Sequence, residues 1–111
     1  MGDRDLASFG DSYLNFIYSV ATSNRKGRPE GRKAKGSMLA EALRRANMRE
    51  LLPSRMSRHA LADAVEALVV YSYLSGCVNM EEATKILGTG RDEIVALSHL
   101  LLTIRARLTF P

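Results

Sequence analysis

A single cysteine, Cys77, stands in a chain of 111 residues. One thiol excludes a disulfide framework and a cysteine-rich zinc site. The longest apolar runs, around Ala64–Leu74 and Leu100–Leu102, fall far short of the roughly 20 residues that span a bilayer. The opening Met-Gly-Asp-Arg-Asp lacks the basic stretch and apolar core of a secretory signal. No strand pattern survives either, because the β-branched residues lie inside runs of helical period. There is no long repeat and no second compositional block, so one domain over 1–111 is expected. His59 and His99 are far apart, with no nucleophile motif beside them, and read as surface or packing residues. Cys77 reads as inert. These absences imply a soluble, cytoplasmic protein with no membrane partner.

What is present is helical throughout. Leu6, Phe9, Tyr13, Phe16, Ile17 and Val20 recur at helix spacing, predicting a first amphipathic helix over about Asp5–Thr22. Ser23-Asn24 is expected to stop it. Ser37 is expected to cap a second helix through Leu39, Leu43 and Ala46, with Glu41 near the capping-box position. A short helical turn near Met48–Leu52 precedes Pro53. Ser57 caps a long third helix closed by Gly76, and Asn79 caps a fourth that ends at Gly88. Thr89 or Gly90 opens a last helix through Arg107, its acids early and its arginines late, in keeping with the helix dipole. The expected fold class is all-α.

The charge is uneven. Between Ser23 and Gly36 lie Arg25, Lys26, Arg28, Arg32, Lys33 and Lys35 against Glu30 alone, although the whole chain carries only +4. A glycine-punctuated basic loop on a near-neutral body suits contact with a phosphate backbone. A solvated, flexible loop is the plainer reading of the same residues.

Carboxylates break the apolar stretch Ala60–Val70 at Asp63 and Glu66, one helical turn apart on one face. Unpaired buried charge of this kind costs several kcal/mol, so a cation, a basic partner or a shared proton must compensate it (roughly, by transfer arguments). Asp11, in Ser-Phe-Gly-Asp-Ser-Tyr-Leu, has a similar setting. Oxygen-ligand clusters of this type hold Mg²⁺, with Mn²⁺ as a substitute, and support phosphodiester hydrolysis. Gly10 would let the two helices that carry these acids approach closely.

Two of these segments resemble signatures of the ribonuclease III catalytic domain. Leu6-Ala-Ser-Phe-Gly-Asp-Ser-Tyr-Leu14 is similar to its first signature helix. Ala62-Asp-Ala-Val-Glu-Ala-Leu-Val-Val-Tyr-Ser-Tyr-Leu-Ser-Gly76 is similar to its second, and Leu39-Ala40 through Leu52 to the helix between. The resemblance implies a ribonuclease III endonuclease-like helical bundle. It implies a Mg²⁺-dependent endoribonuclease that hydrolyses double-stranded or structured RNA, with Asp11, Asp63 and Glu66 as metal-binding catalytic acids. It also implies a homodimer, for which Phe9 and Tyr13 are interface candidates, although their stripe reads equally as internal core, while Tyr71 and Tyr73 read as core or interface. The six basic loop residues would hold the RNA backbone.

The chain departs from the family pattern in two places. Ala7 stands where the family carries a Glu four residues before the first Asp, and the acid of the intervening helix falls near Ser37. Weaker binding or fewer ions would follow. The compact Mini-III branch, to which this chain without a double-stranded RNA-binding domain is similar, also lacks the first acid. Two alternatives stay open: a ribonuclease III fold that binds RNA without cutting it, and a helix-turn-helix DNA binder over Glu82–Ile94 whose recognition helix begins near Arg91. Lys85 is read as a solvated lysine.

Overall fold

Five α-helices and one short 3-10 turn account for the regular structure of residues 3–108, which the computed structural model describes; no strand occurs among them. The first helix, α1, spans Asp3–Lys26 and buries Leu14, Ile17, Tyr18 and Ala21, spaced as an amphipathic helix requires. It runs a full turn beyond the expected stop at Ser23. The Ser23 hydroxyl accepts from the Glu30 N–H at 2.8 Å and donates to the Glu30 carbonyl at 3.2 Å, so it does not compete with the helix backbone. The true stop is Gly27, at φ +71.

Helix α2 spans Gly36–Arg45, with Lys35 at its N-cap and no side-chain cap bond. The expected Ser37 cap is therefore corrected: Ser37 lies inside the first turn. Ala34 is buried and its N–H is bonded to Asn15, which fixes the chain's entry into the helix before Ser37 is reached. Glu41 is not a capping-box acid either; Arg44 and Arg45 hold its carboxylate. The 3-10 turn follows at Arg49–Leu51.

Helix α3 spans Arg58–Leu74, and Ser57 accepts from the Ala60 N–H at 3.1 Å as expected. Helix α4 spans Met80–Leu87 under the Asn79 cap, whose side chain accepts from the Glu82 N–H at 2.8 Å. Helix α5 spans Glu93–Arg107, starting later than Thr89 or Gly90. Gly90 adopts φ +77, which ends rather than starts a right-handed helix, and Asp92 takes the cap by accepting from the Ile94 and Val95 N–H groups.

α1 packs on α3 and α4, while α2 packs on α3 and α5. The last helix is the centre of the core: Leu97, Leu100, Leu101 and Ile104 are fully buried beside Leu14, Ile17, Leu39, Val65 and Val69. The proposed DNA recognition helix is this one, and it starts at Glu93 rather than near Arg91. Its inner face is committed to packing, and its first turn carries Glu93, paired with Arg32 at 3.2 Å. Tyr13 is likewise internal, 5 % exposed and stacked on Tyr73 at 4.9 Å between ring centroids, whereas Phe9, Phe16 and Tyr73 face outward.

One close approach positions everything else. At Gly10, α1 meets the α3 backbone so tightly that a Cβ would lie 2.0 Å from the Glu66 carbonyl oxygen. The residue after Gly10 is Asp11, and the side chain above that carbonyl is Glu66. The glycine thus brings two acids from distant parts of the chain together.

Candidate active site

Asp11, Asp63 and Glu66 line one pocket of about 660 Å³, bounded also by Arg4, Ala7, Lys33 and His59. The three acids do not share one environment. Glu66 is buried at 8 % exposure, and the Asp11 carboxyl is close enough to perturb it. Two neighbouring carboxyls with little solvent favour holding one proton over carrying two negative charges. The Asp63 side chain is 46 % exposed and lies 3.6 Å from His59 one turn earlier, an ion pair when His59 is protonated. The expectation of two buried charges on α3 thus applies to Glu66 alone, because the Asp63 side chain opens toward solvent.

Burial pushes the Glu66 carboxyl up to about 8, reinforced by the neighbouring Asp11 carboxyl and by the negative charge of Asp63. Lys33 opposes the shift from across the pocket. No Lys or Arg forms an ion pair with Glu66 among the described residues. The pocket offers hard oxygen donors of the kind divalent cations take, and a cation binding there would displace the Glu66 proton. The donor set therefore fits Mg²⁺ or Mn²⁺ in chemistry. In the conformation described, no group of three or more His, Cys, Asp or Glu is arranged around a common metal position among the described residues. Ala7 lines the pocket with only a methyl group, where the resemblance leads one to expect a fourth carboxylate.

The basic loop is not a free linker. Polar side chains at every fourth position of α1 fasten it at every second residue. Asn15 accepts from the Ala34 N–H at 2.9 Å, Ser19 accepts from the Arg32 N–H at 2.8 Å, and Ser23 accepts from the Glu30 N–H at 2.8 Å. The periods match: four helical residues rise about 6 Å, and two extended residues about 6.6 Å. The loop therefore runs antiparallel to α1 with alternate residues turned outward, and Gly31, Lys33 and Lys35 are exposed.

This arrangement divides the six basic residues. Lys26 pairs with Glu30 at 3.0 Å, Arg25 lies 3.6 Å from Glu93, and Arg32 is held by Glu30, Glu93 and the Tyr18 hydroxyl. Arg28, Lys33 and Lys35 make no ion pair among the described residues. Lys33 alone of the six also lines the acidic pocket.

Sequence reasoning missed Asn15, which donates to Asp11 Oδ1 at 3.1 Å, and read His59 as isolated. Both carry a signal at i, i+4 spacing from an acid already under suspicion. Lys85 lies away from the pocket, 3.8 Å from Glu81, in keeping with a solvated role. An apolar groove of about 790 Å³, lined by Leu6, Leu52, Met56, Ala64, Leu68 and Tyr71 among others, adjoins the acidic pocket at Ala7 and Asp63.

No helix is long and apolar enough to cross a membrane among the described residues. No curated protein matches the sequence. A family model described as Ribonuclease III matches residues 4–108, nearly the whole chain and every element of the fold. With its all-helical architecture and its two acid-bearing helices joined at Gly10, the chain belongs to the ribonuclease III family.

Proposed function

We propose that this protein is a divalent-cation-dependent endoribonuclease that cuts double-stranded or structured RNA. The observation that carries the reading is the buried Glu66 carboxyl, without a Lys or Arg ion pair, which lines one pocket with the partly buried Asp11 and with Asp63. Asp11, Asp63 and Glu66 would hold Mg²⁺ or Mn²⁺ directly or through water. When bound, the ion would polarise a phosphoryl oxygen and lower the pKa of the attacking water. Before it binds, Glu66 must release its proton, so metal affinity rises as pH climbs through about 8. Lys33 stands where it meets a phosphate that enters the pocket, and Lys35 and Arg28 continue the positive track along the loop. A-form RNA presents its backbone phosphates and 2′-hydroxyls to such a surface.

The protein would act as a homodimer. Phe9 and Phe16 on α1 and Tyr73 on α3 support this, since each is a large apolar side chain left in solvent on adjacent helices. A second reading, RNA binding without cleavage, is favoured by one observation: Ala7 contributes no charge to the pocket.

The test is incubation of labelled duplex RNA, with and without Mg²⁺, beside a DNA duplex of the same sequence. Metal-dependent cutting of RNA alone is the expected result; retained binding with no cutting would favour the second reading. The loop makes a graded prediction. Lys33→Ala and Lys35→Ala should each weaken RNA binding and reduce its salt slope by about one unit. Lys26→Ala, which removes a partner of Glu30, should change the slope far less; equal effects from all three would contradict the division of the loop.

A further inference from the structure

We propose that Asn15 is a positioning residue that sets the Asp11 carboxylate for the cation and locks Lys33 beside it, so that metal site and phosphate track are one unit. The inference rests on the metal-site reading above and adds a residue to it. Asn15 lies one turn beyond Asp11 on α1, partly buried between the helix and the loop. Its amide orientation is unambiguous. The Ala34 N–H can only donate, so the atom 2.9 Å away must be Oδ1, and Nδ2 is then the atom that faces Asp11 Oδ1 at 3.1 Å. One side chain thus spans a carboxylate of the pocket and the backbone of the residue that follows Lys33.

The two bonds do different things. The donated bond holds one Asp11 oxygen with a neutral group, which orients the carboxylate without cancelling the negative charge a cation needs. The accepted bond ends the Asn15–Ser19–Ser23 ladder at the loop position nearest the pocket. Ser19 and Ser23 fasten the loop through backbone groups and touch no acid of the pocket, so they separate the two roles. If Asn15 were only another rung, losing it would loosen the loop and leave the metal site unchanged.

The experiment is titration of Mn²⁺ into the purified protein without RNA, followed by the electron paramagnetic resonance signal of the free ion. Thermal unfolding of each variant is recorded alongside. Asn15→Ala should weaken Mn²⁺ binding about tenfold. Asn15→Ser, which keeps a polar group too short to reach both partners, should do the same. Ser19→Ala should lower the melting temperature while Mn²⁺ affinity stays at the wild-type value. Wild-type affinity in folded Asn15→Ala or Asn15→Ser, or an equal loss in Ser19→Ala, would overturn the role of Asn15 alone. No Mn²⁺ binding by the wild type would overturn the metal-site reading and this proposal with it.

Discussion

Glu66→Gln is expected to abolish metal-dependent RNA cleavage and, in the same protein, to stabilise the metal-free fold at alkaline pH. The two effects have one cause. In the folded chain the Glu66 carboxyl is raised from 4.5 to about 8, first by burial and then by Asp11 and Asp63. A folded-state pKa above the unfolded value means that the native state binds the proton more tightly. The associated stability is complete below about pH 4.5 and is lost as pH rises through about 8. Glutamine is neutral at every pH and keeps the size of the side chain, so it removes this loss. With chelator present, the two proteins should melt at similar temperatures near pH 5. At about pH 9 the variant should melt higher, by an amount on the order of 10 °C for a domain of this size. Saturating Mg²⁺ should reverse the order, because only the wild type offers the ion a carboxylate there. Thermal unfolding by circular dichroism, at two pH values with and without Mg²⁺, measures all of this. A variant less stable than the wild type at high pH without metal would contradict the proton-sharing account.

Gly10→Ala should be the most damaging alanine substitution among the described glycines. The new Cβ would sit 2.0 Å from the Glu66 carbonyl oxygen and 2.4 Å from its carbon, and both are backbone atoms that no rotamer change can move aside. Relief requires α1 and α3 to separate, which opens the packing of Leu14 and Ile17 against Val65 and Val69. Overpacking commonly costs about 1–3 kcal/mol, and a clash with rigid backbone belongs at or beyond the upper end. A fall in melting temperature of about 15 °C or more follows for a domain of this size. Gly31→Ala is the matched control: nothing lies within 4 Å of its Cβ and its φ is not positive, so its change should stay within about 0.5 kcal/mol. Separation of the helices would also pull Asp11 away from Glu66. Any Gly10→Ala protein that remains folded should therefore bind Mn²⁺ more weakly than the wild type.

Most of the fold was legible because it depends on local chemistry. The apolar period of α1, the early acids and late arginines of α5, and the caps Ser57 and Asn79 act within a turn or two of where they stand, and the structure agrees with them. The errors share the opposite character. Ser23 looked like a stop because it is a weak helix former, yet Glu30, seven residues on, occupies its hydroxyl. Ser37 looked like a cap, but the entry to α2 is fixed from α1 through the Asn15 bond to Ala34. In the site, the spacing of Asp63 and Glu66 revealed a shared face but not that one is buried and the other half-exposed. That difference is set by α1 crossing at Gly10. The loop charge was visible, whereas the pairing of Arg25 and Arg32 depends in part on Glu93, about sixty residues away (61 from Arg32).

The central claim is that the Asp11–Glu66 carboxyl pair is half of a cation site. Anomalous diffraction from crystals soaked in Mn²⁺ at a pH above about 8, where Glu66 has lost its proton, tests it most directly. A manganese peak is expected in the pocket at bonding distance from carboxylate oxygens of both Asp11 and Glu66. A fully ionised, folded protein with no peak there, or with manganese bound only elsewhere, would contradict it.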